Sequence, residues 1–125
     1  GMDGTYMTIV EASGVPGINA YVEFTSVNAF ERVRLLGAYV GTTSHQVMVQ
    51  VYDWSNSVWR TFDVIETNAF NTTDLQFQNH DFTVYDDTNY IGTAGNLGKV
   101  RVRFYHPVSG NATHRLYIDE LSLRQ

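Results

Sequence analysis

Tyr52, Trp54 and Trp59 bring three wide rings into one short stretch, HQVMVQVYDWSNSVWRTFDVI. If that stretch is a hairpin, all three stand on the face turned away from the core. Rings exposed on a sheet can stack on the apolar face of a sugar, and a flat ring gives contact area at little entropy cost. The same residues also fit a cross-strand ring pair that stiffens the hairpin, worth about 0.5–1.5 kcal/mol beyond area burial. They fit equally a face covered by a loop or a neighbouring subunit. A second row alternates along GKVRVRFYH, where Arg101, Arg103 and Tyr105 share one side. Guanidinium forks grip carboxylates bidentately, as acidic glycans would present them. The alternative is pairing with acids such as Glu23 on a solvated face. Arg32 and Arg34 form a further outward pair.

The residues that would do covalent or hydrolytic chemistry are poorly arranged for it. There is no cysteine and no G-x-S-x-G, so no activated nucleophile is indicated. Asp86-Asp87 and Asp119-Glu120 are adjacent acids, and neighbours on a strand face opposite ways, so neither doublet is a two-carboxylate glycosidase pair. A small glycan-active enzyme would need distant carboxylates to meet. His45, His80, His106 and His114 show no H-x-H or H-x-x-x-H spacing that would signal a metal. His45 and His114 each precede a strand, which predicts turn positions with hydrogen bonds to loop backbone.

The elements that position these groups are strands. Val100, Val102 and Phe104 alternate against Lys99, Arg101, Arg103 and Tyr105, the period of a half-buried strand. Leu116 and Ile118 continue that pattern after the breakers Pro107, Gly110 and Asn111, so residues 98–123 read as a closing antiparallel hairpin. Leu121 and Leu123 fall out of phase, which predicts a β-bulge at Asp119-Glu120. Further strands are expected over 5–12, 19–27, 30–40, 45–54 and 58–65, with one or two over 75–85 and a short edge segment at Tyr90-Ile91. The 30–40 stretch has partly helical spacing, but Gly37, Tyr39 and Val40 disfavour a helix. With Asn56-Ser57 as the central turn residues, Trp54 pairs with Trp59, Asp53 with Arg60, Val51 with Phe62 and Val49 with Val64. Gly41-Thr-Thr-Ser-His45 and Gly110-Asn-Ala-Thr-His114 echo one another faintly. The sum is an all-β chain of eight or nine antiparallel strands, a β-sandwich of jelly-roll type.

Composition bounds the rest. The 125 residues suffice for one domain, expected over 3–125, with Gly1 ahead of Met2 read as a protease scar or the artificial start of a fragment. The net charge is −5 and Lys99 is the only lysine, so the basic stripe of a nucleic-acid binder is missing. No apolar run approaches the roughly 18 residues of a membrane span, which argues against membrane insertion. Aromatic residues make up 14% of the chain, enough to equip a wet surface with rings.

The closing segment KVRVRFYHPVSGNATHRLYIDELSL resembles the C-terminal end of galactose-binding-like jelly rolls, including many carbohydrate-binding modules. H-x-V-x-V-Q-V-Y-x-W, the second Trp, Y-I-G-T and V-R-V-R-F are similar to domains of bacteriophage tail and virion structural proteins. The resemblance runs from about Val33 onward and rests on strand patterns. It implies a non-catalytic carbohydrate-binding or receptor-binding module in a virion or extracellular setting, with a cell-surface glycan as partner. It equally accommodates a structural virion domain that assembles as a homo-oligomer. It further implies a structural calcium at Asp119, with Glu11 at the end of the first strand as the partner carboxylate. The alternative for Asp119 is a cap on backbone N–H groups freed by the bulge.

Overall fold

A computed structural model describes residues 6–42, 44–69, 71–73 and 75–125. Residues 3–5 of the expected domain, including Thr5 of the expected first strand, lie outside the described residues, as do Thr43, Phe70 and Asp74 of the expected turn and loop. The strands are β1 (Met7–Val10), β2 (Ile18–Phe24), β3 (Arg32–Val40), β4 (Gln46–Asp53), β5 (Val58–Glu66), β6 (Gln78–Asn79), β7 (Phe82–Thr83), β8 (Val100–His106) and β9 (Arg115–Arg124). Two antiparallel sheets form a β-sandwich. One has the order β1-β9-β3-β6 with β7 also on β3, and the other has the order β2-β8-β4-β5.

Alternation decides what lies between the sheets. Val33 and Leu35 of β3 and Leu116 and Ile118 of β9 face Val47, Val49 and Val51 of β4 and Val100, Val102 and Phe104 of β8. Burying each such side chain contributes about 1.5–3 kcal/mol. The 30–40 stretch is a strand, as expected: Val33 and Leu35 alternate inward with no exposure. The bulge is also where the phase slip placed it. Leu36 pairs with Glu120 and Gly37 with Ile118, so Asp119 is the extra residue, and the apolar pairs on both sides of it stay on the core face.

Three expectations fail. The closing segment is not a hairpin: β8 belongs to the second sheet and β9 to the first. Their apolar faces meet across the core, so residues 107–114 carry the chain over one end of the sandwich. Second, the β4–β5 hairpin is registered differently, with Tyr52 opposite Trp59, Asp53 opposite Val58 and Val51 opposite Arg60. The turn is longer than two residues because Asp53 accepts hydrogen bonds from the Asn56 backbone (3.0 Å) and side-chain amide (2.9 Å), while Ser57 adopts a left-handed conformation. Third, Tyr90-Ile91 is no strand; it follows a 3₁₀ turn at Asp87–Asn89.

The two outer faces are treated differently. On the first sheet, Leu75 and Phe77 pack against Val40, Ala69 and Tyr117, and Tyr6 sets its ring against Phe77 and Tyr117. Ala69, Leu75 and Phe77 thus cover part of that face. The outer face of the second sheet carries the long aromatic and arginine side chains instead.

Val102 has no exposed surface and lies at the centre of β8. Val102→Asp would place an unpaired carboxylate in the core, a cost of several kcal/mol that a domain of this size does not tolerate. Circular dichroism of the purified variant should show an unfolded chain, and a folded, soluble variant would contradict the placement of β8.

Candidate functional site

The outer face of the second sheet is set by the inward alternation of its core. With Val49 and Val51 inside, Met48, Gln50 and Tyr52 point outward from β4. With Val102 and Phe104 inside, Arg101, Arg103 and Tyr105 point outward from β8. Tyr21 and Glu23 of β2 lie opposite Arg103 and Arg101, and Gln50 of β4 lies opposite Arg103. All six residues expected to bind ligand, Tyr52, Trp54, Trp59, Arg101, Arg103 and Tyr105, therefore meet on one face.

Their packing is a lattice of rings and cations. Tyr52 lies edge-on to both Trp54 (4.9 Å between centroids) and Trp59 (5.1 Å). Arg101 sits over Trp54 at 4.9 Å and over Tyr21 at 5.1 Å. Arg103 sits over Trp59 at 4.5 Å and over Tyr105 at 4.0 Å. Each such cation–π contact contributes about 0.5–1 kcal/mol at exposed sites and more where water is excluded. The charged groups are also tied down by hydrogen bonds: Arg101 Nε to Glu23 at 2.7 Å, Arg103 Nε to the Gln50 amide oxygen at 2.8 Å, and Gln50 Nε2 to Thr61 Oγ1 at 3.0 Å. Burial draws the Arg103 guanidinium down from its ordinary value, and the Tyr105 side chain opposes that shift.

Tyr21 and Trp59 come from β2 and β5, the two edges of this sheet. Three strand spacings put those edges roughly 14 Å apart, yet the two ring centroids are 6.0 Å apart. Both side chains lean inward over β8 and β4. Tyr21 remains 52% exposed, so this arch presents a ring to solvent. Tyr21 and Gln50 join the site without having been expected there, whereas Glu23 pairs with Arg101 as the solvated-face alternative anticipated. The alternation of β2 already turned Tyr21 outward; what was missing was the pairing of β2 with β8.

Arg32 and Arg34 take no part in this face. They lie on β3 of the other sheet, where Arg34 pairs with Glu120 at 3.2 Å. A depression of about 550 Å³ opens near Ser26, Asn28, Thr88, Ile91 and Leu97, and its lining holds no ring and no charged side chain to orient a ligand. For that reason the candidate site is the aromatic face.

A second polar cluster occupies the sandwich end where β1, β3 and β8 finish. Glu11 is completely buried there and accepts hydrogen bonds from the Tyr39 hydroxyl, from Asn111 N at 2.6 Å, and from His45 Nδ1 (3.0 Å) and His114 Nδ1 (3.2 Å). Burial pushes the Glu11 carboxyl up, but Tyr39, Asn111 and His45 together outweigh it and hold Glu11 below its ordinary value. Burial and the bond to Glu11 push the Tyr39 hydroxyl far up, so it stays a neutral donor. Burial also draws His114 down, against the attraction of Glu11. His45 and His114 do sit at turns, their backbone N–H groups bonding the carbonyls of Thr42 (3.3 Å) and Asn111 (2.9 Å), and their side chains bond this carboxylate in addition.

The expected partnership of Glu11 with Asp119 is corrected by the register of β1 on β9. Val10 pairs with Arg115 and Met7 with Ile118, so Glu11 lies beyond one end of that ladder and Asp119 beyond the other. Five strand residues separate the levels of His114 and Asp119, roughly 16 Å. The two carboxylates do not share a ligand set.

No protein-family model and no curated protein matches the sequence. A solved structure described as "CBM4 structure and function" superposes with a TM-score of 0.56 at 14% identity, over 98% of this chain and 85% of that one. The fold is that of a CBM4-like β-sandwich. At this identity the likeness concerns architecture, and the CBM4-like frame says nothing residue by residue about the aromatic face.

Asp53 anchors the turn that presents Trp54. The Asn56 side chain and then Arg60, at 3.0 Å, hold its carboxyl below the ordinary value against burial. A depressed folded-state pKa means that this stabilisation is present above the unfolded value of about 3.9 and is lost as pH falls through the folded value. Asp53→Asn should therefore lower the urea midpoint near neutral pH, and the gap to the parent should close in acid. A gap of equal size at both pH values would contradict this role for the charge.

Proposed function

We propose that the chain is a non-catalytic carbohydrate-binding module that reads oligosaccharides with the outer face of its second sheet. The observation that carries this reading is the convergence of Tyr21, Tyr52, Trp54 and Trp59 with Arg101 and Arg103 on one sheet face. Rings supply the platform for the C–H face of a pyranose. Guanidinium and amide groups already held at fixed positions by Glu23, Gln50 and Thr61 supply orienting hydrogen bonds, so little side-chain entropy is lost on binding. The CBM4-like architecture supports the same reading. The acids nearest the face, Glu23 and Asp53, are each engaged with an arginine, which suits orientation of neighbours better than general acid–base work.

The proposed setting is a virion or another extracellular assembly, as the resemblance in the sequence implies, where a homo-oligomer would present several copies of the face to a glycan-bearing surface.

A glycan array probed with the purified domain, with its mass in solution recorded on the same sample, tests the proposal. Binding to a defined glycan class is expected. Trp59→Ala should weaken that binding at least about tenfold, the equivalent of ~1.4 kcal/mol, while leaving the far-ultraviolet spectrum unchanged. A silent array together with a stable oligomer that buries Trp59 would overturn the module reading in favour of an assembly role.

A further inference from the structure

The sandwich end built on Glu11 holds three imidazoles that neither the alternation nor the aromatic face requires. Ligand atoms of Glu11, His45 and His106 all lie within 4.8 Å of one another. The rings of His45 and His106 stack at 4.6 Å, and His114 meets His45 edge-on at 4.6 Å. Glu11 and His106 are buried, and His45 is the member with a solvent-facing edge, its side chain being 20% exposed.

The protonation pattern follows from the partners. His106 Nδ1 lies 2.8 Å from the carbonyl oxygen of Gln46. A carbonyl can only accept, so Nδ1 carries a proton, and Nε2 is the nitrogen left to offer a lone pair to a ligand. That Nε2 is buried and has no hydrogen-bond partner among the described residues. A buried nitrogen left unpaired in this way has given up its bond to water and gained none in exchange. A neutral imidazole whose Nδ1–H is fixed on a backbone carbonyl is also the arrangement that orients a histidine toward a metal ion. Glu11 supplies the anion. Its Oε2 lies 3.0 Å from His45 Nδ1, and an ion bound between them would take the place of the hydrogen-bonded proton, which leaves to solvent. That separation is close to the ~3.3 Å edge of a tetrahedron with metal–ligand bonds of about 2.0–2.2 Å.

The backbone holds this donor set in place. A Cβ at Gly17 would stand 2.7 Å from Cδ2 of His106, and one at Gly110 would stand 2.7 Å from Cγ of Glu11. Neither ring nor carboxylate can swing toward those sides.

We propose that Glu11, His45 and His106 form a binding site for a divalent transition ion of the zinc type, with a water completing the coordination. Two imidazoles and one carboxylate suit zinc, whereas calcium and magnesium demand more oxygens than this pocket offers. His114 is a positioning residue that acts through Glu11. Glu11 follows β1 of the first sheet, His45 immediately precedes β4 of the second and His106 ends β8 of the second, so the ion would tie the two sheets together at that end. This inference does not depend on the glycan reading, because the site and the aromatic face occupy different parts of the domain.

The test uses the full chain without a polyhistidine tag, stripped with EDTA and then dialysed free of it. Zinc in excess should raise the melting temperature by about 5 °C, and calcium at the same concentration should not. Cobalt(II) should give the visible d–d absorption of a low-coordinate site. His45→Ala, at the partly exposed position, should fold and lose both responses. His80→Ala, whose ring lies beside Asp63 at 3.3 Å, should keep them. The proposal is overturned if zinc produces no shift, if calcium produces an equal one, if His45→Ala responds like the parent, or if His80→Ala abolishes the response.

Discussion

The structure depends on one constraint, the strict alternation of β8. Val100, Val102 and Phe104 must face Leu35, Leu116 and Ile118 for the sandwich to have a core, and a strand offers its remaining side chains to the other side. Arg101, Arg103 and Tyr105 have no alternative to the outer face. β8 lies between β2 and β4, so its arginines are flanked by Tyr21 and Glu23 on one side and by Gln50 and Tyr52 on the other. The ring–cation lattice is thus a direct consequence of the core. A register slip of one residue in β8 would bury two guanidinium groups and expose the valines, at a cost far beyond the stability of a domain this size.

The same architecture explains why the chain has two polar centres with different characters. The aromatic face is built on strand interiors, where the pleat holds side chains at regular spacing and leaves one side open. The Glu11 cluster is built where strands from both sheets end and loops cross between them. There the backbone comes close enough at Gly17 and Gly110 to leave no room for a Cβ. The first arrangement suits an extended ligand lying across a surface. The second suits a point charge, or something as small as an ion, held between layers.

Much of the fold was legible because it is written in period-two patterns. The β3 strand, the core faces of β4, β8 and β9 and the bulge at Asp119 all followed from which residues must be inside. All six expected face residues lie on that face for the same reason. What was not legible depended on pairing in space. Alternation says that β8 and β9 each have an apolar face, and it cannot distinguish two neighbours in one sheet from two strands facing each other across the core. The β4–β5 register was missed because Asp53 extends the turn through hydrogen bonds to Asn56, a choice that loop length alone does not reveal. The inclusion of Tyr21 awaited the β2–β8 pairing. The Glu11 cluster draws its members from four separate loops and strand ends. Its one advance signal was the faint echo of Gly41–His45 in Gly110–His114, whose two histidines meet on the same carboxylate.

The central claim is that the outer face of the second sheet is a ligand platform, and both tryptophans of the chain, Trp54 and Trp59, lie on it. Intrinsic tryptophan emission therefore reports on that face without any label. The most direct measurement is a titration of the domain with soluble oligosaccharides of several classes, following emission and its accessibility to acrylamide quenching. A saturable change with at least one class is expected, accompanied by protection from the quencher. Emission and quenching unchanged across all classes, for a folded monomer with both indoles accessible, would contradict it.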